Sequence, residues 1–185
     1  MRVLLPLVLS GMAMSACAEP TPASLSELFR AACIDTDSER SAIAALAAER
    51  GWQEIPFHAG DDGPQWGVGY SLGYARVMLV GYNSLPEGDV GVTDGPMALP
   101  ARITCAVDFR DAPSDWREQA AEVADSLGFS PLDPSDNGDV AEVRHWAREE
   151  ARLTSRYDAS TGIVSLEVTR ITDPEIVSML AAGRG

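Results

Sequence analysis

Apolar side chains recur at Leu25, Leu28, Phe29, Ala32 and Cys33. That spacing lines five groups along one face of a helix and turns Cys33 inward. Ser24 with Glu27 has the form of a capping box, and Thr36 with Glu39 repeats it. The pattern predicts a short helix, a break and a second helix. In the second, Ile43, Leu46, Ala47 and Arg50 continue the stripe up to Gly51. There a Schellman stop would fold Trp52 back on the last turn.

The period then changes. Residues 66–82 are glycine-punctuated at first and then alternate, with Ala75, Val77 and Leu79 on one face and Tyr74, Arg76, Met78, Val80 and Tyr82 on the other. This is the signature of a strand with one apolar face. Residues 83–100 form a loop rich in Gly, Pro, Asp and Asn, of a length that often carries function. Strand character resumes over 102–109, where Ile103, Cys105 and Val107 share a face, so that Cys105 can reach the layer holding Cys33. A helix is predicted over 112–127, with Trp116, Ala120, Val123 and Leu127 on its apolar side and Gly128 and Phe129 at its end. Residues 130–139 read as a polar loop. Over 142–148, Val143, His145 and Ala147 alternate while Val140, Val143 and Ala147 keep helical spacing; we read a strand, with His145 as a satisfied core histidine. Residues 153–157 and 163–171 flank DASTG and form a hairpin, and 174–182 a short terminal helix. The expected fold is therefore α+β: an antiparallel sheet of about four to five strands with helices packed on one face.

Composition adds a compartment. Residues 1–18 carry Arg2, an apolar run from Val3 to about Ala13 and small residues ahead of a cleavage point, the pattern of an export signal. Two cuts compete. Met14-Ser15-Ala16-Cys17 resembles a lipobox, which would lipidate Cys17, whereas Ala16-Cys17-Ala18 fits ordinary cleavage before Glu19. Residues 19–185 would then be a single domain behind a short tether, EPTPA. Either cut leaves Cys33 and Cys105, which in an exported chain are expected to pair across a loop of about 70 residues.

Loss of Arg2 leaves 13 arginines against 28 acids, a net charge of −15, and there is no lysine. Repulsion from phosphates argues against nucleic acid or anionic lipid as a direct partner, leaving a lipid at Cys17 as the expected membrane link. Schiff-base and P-loop chemistry need the missing amine.

Three constellations bear on chemistry. Gly69-Tyr70-Ser71-Leu72-Gly73 matches G-x-S-x-G, which would make Ser71 a nucleophile with His145 as its base, but a nucleophile elbow requires a strand before the serine and a helix after it. Asp133, Ser135, Asn137 and Asp139 resemble the start of a calcium loop, yet its twelfth position is Arg144 where a bidentate Glu belongs. Arg144, Arg148, Arg152 and Arg156 recur every four residues and would line a helix or scatter over a strand pair. No cofactor is expected.

The export signal, LFRAACIDTDSERSAIAALAAERGW and the single later cysteine in RITCAV resemble small exported proteins of Gram-negative bacteria to which no activity attaches. The resemblance implies export and the disulfide, and transfers no catalytic residue. The functional expectation is a non-catalytic cell-envelope module, periplasmic or anchored at the outer membrane. It would bind an envelope protein or small ligand through the loop at 83–100 and exposed aromatics, with a periplasmic serine hydrolase as the alternative.

Overall fold

A computed structural model describes residues 23–58, 64–83, 101–132, 135–136 and 141–172. The chain begins with α1 (Leu25–Phe29), whose capping box is formed: Ser24 Oγ accepts from Glu27 N at 3.2 Å and Ser24 N donates to Glu27 Oε2 at 3.0 Å. A π-helical turn, Arg30–Ile34, follows directly and buries Ala32 and Cys33. The second capping box does not form. Thr36 donates instead to the carbonyl of Ala32 at 2.6 Å, and α2 (Arg40–Arg50) starts from Glu39 without a side-chain cap. The break between them is pinned, since Ser38 donates to the carbonyl of Cys33 at 3.0 Å and Asp37 pairs with Arg170. Gly51 sits at φ +67°, and Trp52 N reaches the carbonyl of Ala47 at 2.9 Å, which is the Schellman closure. Gly128 and Phe129 close α3 (Trp116–Ser126) in the same way.

Nine strands follow: β1 (Gln53–Ile55), β2 (Trp66–Ser71), β3 (Ala75–Tyr82), β4 (Arg102–Phe109), β5 (Ser130–Pro131), β6 (Ser135–Asp136), β7 (Ala141–Arg148), β8 (Ala151–Asp158) and β9 (Ile163–Ile171). Eight of them run in one antiparallel sheet in the order β1-β2-β3-β4-β9-β8-β7-β5, and β6 adds a two-residue ladder to β7. The expected four to five strands are thus too few among the described residues. β1, β5 and β6 are two or three residues long, too short to display a period. β2 has glycine where a strand normally shows side chains, for a packing reason: a Cβ on Gly67 would stand 2.6 Å from the ring of Phe57.

The pleat sorts the faces. Val77 and Leu79, Cys105 and Val107, Leu166 and Val168, Leu153 and Trp146 lie opposite one another across β3, β4, β9, β8 and β7, and all are buried. Helix α1 and the π turn pack on this face at β4, α3 packs on α1, and Leu25, Leu28, Phe29, Ile43, Trp116 and Val123 complete the core. Cys33 and Cys105 form the expected disulfide, with Cα atoms 5.6 Å apart, joining helix layer to sheet. Among the described residues no helix is long and apolar enough to cross a membrane.

Candidate functional site

The other face of the sheet carries no described helix. There β9 places Ser165, Glu167 and Thr169, the residues that alternate with its buried Val164, Leu166 and Val168. Register then assembles three rows across four strands. Glu167 has Ala106 on one side and Thr154 on the other, with His145 beyond Thr154. Asp108, Ser165 and Arg156 form the next row, and Thr104, Thr169 and Arg152 the row on the opposite side. A fourth row pairs Arg102 with Ile171.

Two clefts open on this face, of about 460 Å³ toward Arg102 and Arg152 and about 370 Å³ toward Asp108 and Arg156. His145, Thr154 and Glu167 line both, so the clefts meet there as one polar trough.

The trough is hydrogen-bonded along its walls. His145 Nδ1 lies 3.1 Å from Thr154 Oγ1, Ser165 Oγ donates to Asp108 Oδ1 at 2.6 Å, and the hydroxyls of Thr104 and Thr169 are 2.8 Å apart. Glu167, at its centre, makes no hydrogen bond or ion pair with any described residue. Burial pushes its carboxyl above the ordinary carboxylate range, the neighbouring Asp108 pushes the same way, and Arg156 opposes them. Burial, helped by the charge of Arg152, holds His145 below the ordinary imidazole range, which favours the neutral ring.

The residues singled out in the sequence fall apart in space. Ser71 ends β2 and His145 lies in β7, five strand steps and about 24 Å away measured across the sheet. Ser71 lines a separate cleft of about 610 Å³ with Trp52 and Tyr74, and its hydroxyl accepts from Gly73 N at 3.5 Å. Strand β3 follows it where a nucleophile elbow needs a helix. His145 itself is not in the core. The 142–148 segment is a strand, but Trp146 takes the buried face, and His145 is half-buried on the open one. Of the calcium residues, Ser135 lies in β6 opposite Val143, while Asp133, Asn137 and Asp139 lie outside the described residues, as do the loop at 84–100, the terminal helix at 174–182 and Cys17. No cluster of three or more His, Cys, Asp or Glu side chains suited to a metal occurs among the described residues. The four spaced arginines scatter over β7 and β8, and Arg144 joins Arg117 in pairing with Glu142.

What the trough offers is recognition. Thr154 and His145 resemble a nucleophile and base, but no carboxylate among the described residues hydrogen-bonds the histidine to orient it. Charges of both signs, an imidazole whose neutral form is favoured and paired hydroxyls, half-buried on the sheet apart from the exposed Arg152 and Arg156, suit the binding of a polar ligand. Asp108, Ser165 and Glu167 did not stand out in the sequence because polar residues alternating on a strand read as a solvent face, and Arg156 entered only as one of four spaced arginines. The one signal available was their number on adjacent strands.

The fold is thus an α+β domain with helices on one face of a long antiparallel sheet and a polar trough on the other. No family model, curated protein or solved structure matches the chain.

Proposed function

We propose that the chain is a non-catalytic binding module of the Gram-negative cell envelope that seats a small polar ligand in the open-face trough. The observation that carries this reading is Glu167: a half-buried carboxylate without a described partner, placed where two clefts meet. A buried charge costs free energy unless something compensates it, and a ligand would do so. Envelope localisation rests on residues 1–18 and on the disulfide, which persists in oxidising compartments. Cleavage before Cys17 yields a lipid-anchored form and cleavage before Glu19 a soluble periplasmic one. The alternative of a serine hydrolase at Ser71 has less support, because Ser71 and His145 line different clefts.

Native mass spectrometry of the full chain, expressed in a Gram-negative host and purified from the envelope, tests the proposal. The expected result is a small-molecule adduct of constant mass, released on denaturation and lost in Glu167→Gln, on a polypeptide starting at Cys17 or Glu19. A chain that retains residues 1–18 overturns export. A chain without adduct, whose trough resonances also stay unmoved by a small-molecule envelope extract, overturns the binding seat.

A further inference from the structure

The charges of the larger cleft are separated along the strands. Arg102 and Arg152 line it toward one end, and Glu167 lies where it joins the Asp108 cleft. Along β4, Arg102 stands four residues from Ala106, the neighbour of Glu167, a separation of about 13 Å between backbone positions. Arg152 is diagonal to Glu167, about 7–8 Å away by the geometry of paired strands, and no ion pair joins them. Arg102 stacks over the ring of Tyr82 at 4.2 Å, and its Nη1 is buried with no hydrogen-bond partner among the described residues. The cleft is therefore lined by an arginine with one buried, unmatched donor and by a half-buried carboxylate with no partner among the described residues, and both are costly to leave uncompensated.

A carboxylate fits the planar fork of an arginine, and an ammonium fits a carboxylate. A simple anion would leave Glu167 uncompensated. Glu149 and Glu150 also line the arginine end from the β7–β8 turn, Glu149 being already engaged, so the carboxylate of any ligand there has to be held against them by both arginines. A simple cation would leave the Arg102 donor orphaned. We infer that the trough takes a zwitterion, with its carboxylate on Arg102 and Arg152 and its ammonium on Glu167 and Asp108. The separation of the ends favours an ω-amino acid or dipeptide over an α-amino acid, and the Thr104–Thr169 hydroxyl pair lies between them. This inference rests on the trough being a ligand seat.

Nuclear magnetic resonance titration of the full, oxidised chain tests it. The probes are glycine, glycylglycine and the ω-amino acids up to 6-aminohexanoate, with pentanoate, pentylamine and 1,5-pentanediol as singly charged and uncharged controls. The expected result is that at least one of the longer zwitterions shifts the amides of Thr104, Thr154 and Glu167 and binds at least tenfold tighter than pentanoate or pentylamine. Arg102→Gln should reduce that affinity to the level of pentylamine, and Glu167→Gln to the level of pentanoate. Arg152→Gln, at an exposed position, gives a second anion-end variant should Arg102→Gln fail to fold. Equal binding of a zwitterion and a singly charged control overturns the inference, and so does the absence of shifts with every zwitterion. If the diol alone moves the trough, or if a native adduct is present that is not a zwitterion, the seat survives and the zwitterion does not. If no probe binds, no adduct is found and the envelope extract leaves the trough unmoved, both readings fall.

Discussion

Two titrating residues of the trough work against each other with pH. The Glu167 carboxyl is raised in the folded chain, so its stabilising contribution is whole below the ordinary value of 4.5 and is lost as pH rises through the folded value. Glu167→Gln is therefore expected to raise the urea midpoint at pH 7, with the gain vanishing below about pH 4. His145 is lowered, so its contribution is present above 6.5 and is lost as pH falls through the folded value. His145→Gln should flatten the decline of the midpoint on acidification just below that pH; an unchanged slope would remove burial of the imidazole as its cause. Ser155 is a different case. It faces the core from β8, fully buried, and its hydroxyl has no partner among the described residues. Ser155→Ala relieves that unsatisfied group and is expected to stabilise by about 1 kcal/mol, read as a rise in urea midpoint at constant m-value. None of these three environments was legible in the sequence, because each depends on which strand stands beside which.

At the scale of elements, most of the local grammar was legible. The Ser24–Glu27 box, the Gly51 and Gly128 stops and the alternation in β3, β4 and β9 are set by contacts a few residues apart, and all are present. Gly51 needs its left-handed φ of +67° although no atom crowds the place of a Cβ there. Gly51→Ala should thus cost about 1–2 kcal/mol through backbone strain alone, measured by chemical denaturation; a neutral result would mean that the helix end refits. Where a local signal lost, a tertiary contact replaced it. Thr36 bonds back to Ala32 while Asp37 is held by Arg170 of β9, so the second helix begins later than its capping pattern indicates. The glycines of β2 and β3 make room for aromatic rings, Gly67 for Phe57 and Gly81 for Trp66 on the neighbouring strand.

As a whole, the described residues form an antiparallel sheet, with a crossover between β4 and the β7–β9 strands, tied to its helical layer by a disulfide. Cys33 and Cys105 are 72 residues apart, and by the chain-entropy model a bridge of that span contributes about 4 kcal/mol. Urea unfolding with and without reductant should show a loss of that order, whereas a loss under 1 kcal/mol would indicate that the unfolded chain is already compact. The pairing was legible because inward-facing cysteines on a helix and a strand have few partners to choose from. The sequence by itself determined the α+β class, the helical layer and the alternation of β3, β4 and β9, though not the buried face of β7, since those three follow from periods of 3.6 and 2 that repeat within one element. Only the tertiary structure decided the strand order, and with it the trough. Asp108, His145 and Glu167 lie on three strands far apart in the chain, and the hydrogen-bonded register of β4, β9, β8 and β7 brings them to one face.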